Sequence, residues 1–215
     1  PDDIVGPSKL TEDLRSDINL SKTWSAEAMS QITILDDVVD GIQSTVASLD
    51  AKVDGIEVGG RNLILGSGQK KESSGYLIAS YVMSENYSHG QVYTCRLKGS
   101  VNEGQTIGIW FNGAANNQGY MTKIKDDIWE LTFTAKNRDN YTENGPNANE
   151  IRFYNYPSSG ATSATIEWVK LEKGNKATDW TPAPEDVEAE INAVSSQITQ
   201  LADEITLKVQ KRTSD

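Results

Sequence analysis

Few residues in this chain are placed to do covalent chemistry. A thiol beside an imidazole makes a nucleophile, and Cys95 and His89 invite that pairing. The local pattern argues against it. Cys95 alternates with Tyr93 and Leu97, as on the buried face of a strand, and His89 lies in a Ser-His-Gly turn. With 1 Cys and 1 His, the chain has no internal disulfide framework, no multi-Cys metal site and no zinc site built from several histidines. Asp126-Asp127 precedes a strand pattern and offers carboxylates to a cation, but it reads more simply as an exposed turn. Glycoside hydrolysis needs two facing carboxylates, and whether any two acids of the middle segment meet is open at this level. No phosphate-binding Gly loop, HExxH or GxSxG is present.

The stronger signal is non-covalent. Sugars present CH faces and hydroxyls, which flat aromatic side chains and planar polar groups can hold at low entropic cost. Trp110, Tyr154 and Tyr156 alternate with apolar residues and so fall opposite them on their strands. Arg152 shares the face of Tyr154, and the stretch Asn112–Tyr120 supplies Asn116, Asn117 and Gln118. The candidate carbohydrate-binding set is therefore Trp110, Asn116, Asn117, Arg152, Tyr154 and Tyr156. A guanidinium and amides beside aromatics suit a neutral or an acidic polysaccharide alike. The plainer reading is that these rings fill a second packing layer or an oligomer contact.

Three segments must position these residues. The 215 residues carry 20 Lys+Arg and 31 Asp+Glu, a net charge of -11. Residues 1–58 hold 12 acids and 4 bases, residues 59–184 hold 12 and 13, and residues 185–215 hold 7 and 3. The net charge of -11 argues against a nucleic-acid surface as the main function, because phosphate binding needs a basic stripe, and the acidity itself belongs to the flanks. Of 16 aromatic residues, 15 lie between Tyr76 and Trp180. Only the middle has the makings of a compact core. No apolar run of about 18 residues is present to span a membrane, and no signal-peptide pattern is visible. The start at Pro1 without Met reads as a fragment of something longer.

Both flanks read as heptad helices. With Leu35 at d, Val39 is a, Ile42 d, Val46 a, Leu49 d, Val53 a and Ile56 d. The frame extends back through Ile32 and Ala28, weak Ser25 and Ser21 layers, Ile18 and Leu14. Gly41 and Gly55 both fall at c. The second flank repeats the spacing at Val187, Ile191, Val194, Ile198, Leu201 and Ile205, behind a Pro-containing, acidic helix start. Beyond Ile205 the pattern alternates like a strand, so the coil is expected to end there and a further segment to begin. A helix packed on its own domain would also be amphipathic, but the strict a/d seam in a polar surround favours a coiled coil. The β-branched residues at several d positions favour three strands.

The middle reads as all-β. Strand patterns cover Gln91–Lys98, Thr106–Asn112, Ile128–Ala135, Ile151–Tyr156 and Ala164–Glu172, with polar loops at Asn112–Gly119 and Asp139–Asn149. In the last strand Val169 and Leu171 share one face, Ile166 and Trp168 the other. No helical stretch interrupts the series, which favours an antiparallel sandwich of the jelly-roll type.

The two ends of this domain carry a resemblance. Gly60-Arg61-Asn62-Leu63-Ile64 opens it. Lys170-Leu171-Glu172-Lys173-Gly174-Asn175-Lys176-Ala177-Thr178-Asp179-Trp180-Thr181-Pro182-Ala183-Pro184-Glu185-Asp186 closes it. This pairing resembles the carbohydrate-binding-module-like domains in tail and baseplate proteins of siphophages that infect Gram-positive bacteria. The resemblance spans roughly Gly59 to Asp186 and is similar in architecture at the flanks. It implies a jelly-roll sandwich flanked by N- and C-terminal coiled coils in a homotrimer, located at the virion tail tip or baseplate. The implied function is host attachment without catalysis. The implied partners are host cell-wall polysaccharide, other copies of the chain and other tail or baseplate proteins, with no nucleic acid and no membrane insertion. Modules of this resemblance often hold a structural Ca2+, but no Asp-rich loop marks one here, and no cofactor is expected. The alternatives are a structural spacer that positions a distal receptor-binding head, and a tail-associated polysaccharide hydrolase. The closing motif itself has a structural reading: a turn at Gly174-Asn175, then Trp180 folding back to clamp both termini before the prolines.

Overall fold

The computed structural model describes residues 7–159 and 163–213. Two compact units divide between Gly55 and Ile56. The first contains α1 (Pro7–Asp54), one unbroken helix of 48 residues. Its a and d residues Leu14, Ile18, Ile32, Leu35, Val39, Ile42, Val46, Leu49 and Val53 are all exposed in the single chain. Ser25 satisfies its hydroxyl on the carbonyl of Ser21 at 3.0 Å, so the weak polar layer keeps its helical bonds. The helix stops before the expected end of the seam. Gly55 lies in a turn and donates its N–H to the Ala51 carbonyl, so Ile56 lies beyond the helix.

The second unit holds nine strands among the described residues and one helix. The strands are β1 (Lys71–Ser73), β2 (Leu77–Val82), β3 (Val92–Ser100), β4 (Thr106–Phe111), β5 (Asn116–Tyr120), β6 (Thr122–Lys125), β7 (Ile128–Thr134), β8 (Glu150–Tyr156) and β9 (Ala164–Lys173). They form two antiparallel sheets, ordered β1-β9-β3-β7-β6 and β2-β8-β4-β5. Alternation turns Tyr93, Cys95, Leu97, Val169 and Leu171 of the first sheet toward Ile107, Ile109, Phe111, Ile151 and Phe153 of the second, all fully buried. Phe111 bridges the sheets, its ring 5.8 Å from Phe133 and 6.2 Å from Tyr93.

The structure corrects the sequence reading in four further places. The polar stretch Asn112–Gly119 is a turn followed by a strand, because β5 pairs with β4. Its inward residues are amides, which carry no hydrophobic signal. In β9, Ile166 joins Val169 and Leu171 in the core. A bulge does this: Lys98 faces Trp168 and Gly99 faces Ile166, so Glu167 is the extra residue and the alternation inverts. The strands β1, β2 and β6 were not expected. Finally, α2 (Pro184–Thr213) continues as helix through the stretch after Ile205 that alternates like a strand. Its seam residues, from Val187 to Ile205, are exposed in the single chain.

The opening and closing motifs meet. Asn62 is fully buried and its Nδ2 donates to Ser67 Oγ (2.8 Å) and to the carbonyls of Val169 (3.2 Å) and Thr181 (2.9 Å). Its Oδ1 accepts the N–H groups of Ile64 and Leu171. Beside it, Lys170 and Glu172 are buried under the returning segment. Lys170 Nζ donates to Thr178 Oγ1 and the Asp179 carbonyl, while Glu172 accepts from Thr178 N and Gly60 N. Burial lowers the pKa of Lys170, with Glu172 pulling the other way. Trp180 lies over Gly68, where a Cβ would fall 2.8 Å from its ring, and donates to Ser67 Oγ. Asp186 accepts the Gly66 N–H at 2.9 Å and Arg61 pairs with Glu185, so the first turn of α2 is fastened to the β domain. Asn62, Lys170, Glu172, Thr178, Trp180 and Asp186 are thus consumed in holding the exit of the domain.

Candidate functional site

The sheet β2-β8-β4-β5 turns its second face outward. Backbone pairing sets the layout: Trp110 faces Arg152 on β8 and Asn117 on β5, and Ser80 completes that row. In the next row Leu77, Tyr154, Gly108 and Tyr120 stand side by side, and Tyr156 faces Thr106 beyond it. Gly108 has no side chain, and the Trp110 ring fills that slot. A Cβ at Gly108 would fall 2.3 Å from Cζ3 of Trp110 and 3.1 Å from the Tyr120 ring.

The rings form a continuous cluster. Trp110 meets Tyr154 edge-on with centroids 4.9 Å apart and Tyr120 at 6.0 Å. Tyr120 and Tyr156 are 4.4 Å apart, and Tyr76, just ahead of β2, lies 4.8 Å from Tyr154. Burial is uneven. Tyr76, Tyr120 and Tyr156 remain 38%, 41% and 40% exposed, Trp110 is half-buried, and Tyr154 is 9% exposed. Burial raises the pKa of Tyr76 and Tyr120, reinforced by the neighbouring phenols, so these hydroxyls stay neutral donors and acceptors.

Arg152 is engaged. Its Nε donates to Glu150 Oε1 at 2.8 Å, and the same oxygen accepts Ser80 Oγ at 2.7 Å. The bonds to Glu150 and then to Tyr154 raise the Arg152 pKa. Partial burial pushes Glu150 up, but Arg152 and Ser80 outweigh it and hold the carboxyl below its ordinary value.

Trp110, Asn117, Arg152, Tyr154 and Tyr156 are therefore brought onto one surface. Asn116 is not. It points inward, 1% exposed, and donates to Tyr87 Oη at 2.9 Å and to the Tyr141 carbonyl. Gln118 is also buried, as alternation from Asn116 requires, and bonds Lys136 N and O; a bulge opposite Ile109 and Trp110 leaves it without a partner on β4. That same bulge sends Tyr120 outward. Plain alternation from Asn117 would have turned it in, which hid it from sequence reasoning. Tyr76 lies just ahead of β2, a strand outside those the sequence pattern marks.

Other candidates are placed elsewhere. Cys95 is fully buried, and burial raises its thiol far above the ordinary range. His89 is exposed on a turn, its Nδ1 accepting the Asn137 N–H, so no dyad forms. Asp126 and Asp127 are exposed, with Lys123 3.4 Å from Asp127. Among the described residues no group of three or more His, Cys, Asp or Glu is arranged to hold a metal ion. A cleft of about 450 Å³ lies between Gly68, Trp180, Pro182 and the α2 residues Asp186 and Glu190. Its Trp and Asp186 are already used in the exit clamp described above.

No family model, curated protein or solved structure matches this chain.

Proposed function

We propose that this chain is part of a bacteriophage tail protein that attaches the virion, at its tail tip or baseplate, to host cell-wall polysaccharide. In this reading the β domain is a jelly-roll, carbohydrate-binding-like module that performs no catalysis. The two helices are coiled-coil segments of a homotrimer that joins other tail or baseplate proteins. The observation that carries the reading is the aromatic surface of Tyr76, Trp110, Tyr120, Tyr154 and Tyr156, bordered by Arg152 and Asn117. Exposed rings at one surface, with neutral hydroxyls and an amide, suit the CH faces and hydroxyls of a sugar chain. The uncovered a/d seams of α1 and α2 support the oligomer. Three modules on one coil gain avidity for a repetitive polymer even where each binds weakly.

The test is adsorption to host cells and a glycan array with the whole chain. Tyr120→Ala and Tyr156→Ala remove exposed rings. Each is expected to cut binding about tenfold or more while melting stays within a few degrees. Unchanged adsorption in both variants rejects this face as the site.

A spacer reading has its own support. The rings pack edge-on or tilted against one another and Tyr154 is nearly covered, as in a packed outer layer. An array and a cell-binding assay that stay blank for the intact chain decide for the spacer. Release of reducing ends from wall polysaccharide would instead select a hydrolase.

A further inference from the structure

Resting on the glycan-binding reading, we infer that the ligand of this face is an uncharged polysaccharide, not an anionic one. The guanidinium of Arg152 alone suits either class; its surroundings decide. The outward residues of the paired rows are Val82 and Glu150; Ser80, Arg152, Trp110 and Asn117; Leu77, Tyr154 and Tyr120; and Thr106 and Tyr156. Glu150 and Arg152 are the charged members, and they are bonded to each other at 2.8 Å. The rows therefore carry no net charge.

Capture of a polyanion needs cations left free to meet it. Arg152 is not free. Its charge is compensated by a carboxylate that Ser80 also fastens, and its side chain is only 31% exposed. A phosphate or uronate approaching Arg152 would meet Glu150 in the same step, and like charges at close range repel. The remaining polar groups are phenols, an indole N–H, an amide and hydroxyls, which serve hydroxyl-rich, uncharged residues. The Glu150–Arg152 pair then offers a fixed acceptor and a fixed donor, the pattern a sugar hydroxyl can bridge.

The probes are uncharged polysaccharides (a glucan, a galactomannan, an N-acetylhexosamine polymer) against polyglycerol phosphate and polygalacturonate. Retention of the whole chain is measured between about 50 and 500 mM NaCl. Retention by an uncharged polymer, changing less than about twofold across that range, is expected. Retention by polyglycerol phosphate or polygalacturonate that falls steeply with salt overturns the inference but leaves glycan binding standing. Retention by no polymer rejects the glycan-binding reading and this inference with it. Glu150→Gln frees the Arg152 charge and is expected to raise polyanion retention at low salt by about tenfold. An intact chain that already binds polyanion as well as Glu150→Gln also overturns it. The salt titration of the intact chain decides even where the variant does not fold.

Discussion

The indole of Trp110 lies across Gly108 of its own strand, so close that a methyl group there would sit 2.3 Å from Cζ3. The ring is thereby laid against the sheet between Tyr154 and Tyr120. Gly108→Ala should lift the ring and break the cluster. The expected result is loss of glycan retention together with altered near-ultraviolet circular dichroism. A variant with both signals unchanged would show that the ring does not depend on this glycine.

Trp110→Ala should cost stability as well as binding. The ring is half-buried and makes two aromatic contacts, each worth about 0.5–1.5 kcal/mol beyond area. A loss of about 2 kcal/mol in denaturant unfolding is expected, larger than for Tyr156→Ala, whose ring is 40% exposed. Equal losses would contradict the uneven burial of the rings.

Ile42→Asp or Val46→Asp places a charge in each chain at one layer of the α1 seam. Buried unpaired charge costs several kcal/mol. Light scattering should report three times the 23.5 kDa chain for the intact protein and a smaller species for the variant. The near-ultraviolet signal should persist, since 15 of the 16 aromatics lie between Tyr76 and Trp180 in the other unit. A monomeric intact chain at micromolar concentration rejects the coil.

Asn62→Ala should be among the most damaging single changes. It leaves the Leu171 and Ile64 N–H groups and the Thr181 carbonyl without their partner in a buried site. A loss of about 3 kcal/mol or more is expected. Asn62→Asp should fare no better, since a carboxylate cannot donate to the Val169 and Thr181 carbonyls. Melting temperatures of both variants check this.

Alkali should destabilise the β domain before it affects the helices. Burial, then Cys95, raises the Tyr81 phenol from its ordinary value of 10.0 to about 12. A raised folded pKa means the native state holds the proton more tightly than the unfolded chain. That contribution is complete below pH 10 and is lost as pH rises through about 12. Tyr81→Phe should flatten this decline and, because the hydroxyl is buried without a partner, leave neutral-pH stability unchanged or slightly raised. A steeper alkaline loss in Tyr81→Phe contradicts the assignment.

Sequence alone determined the parts governed by local period. The helical seam was legible because Ile42, Val46 and Leu49 recur at heptad spacing in a polar surround. The inward and outward faces of β4 and β8 were legible because Ile107, Ile109, Phe111, Ile151 and Phe153 alternate strictly. Tertiary structure alone decided what depends on pairing. β5 is a strand of amides, held by β4 and by Tyr87, so no hydrophobic period announces it. Bulges opposite β4 and β3 invert the alternation, which sends Tyr120 out and Ile166 in. The partners of Arg152 and the ring laid over Gly108 follow from which strands are neighbours. Strand order is set by contacts far apart in the chain, and a local pattern cannot encode it.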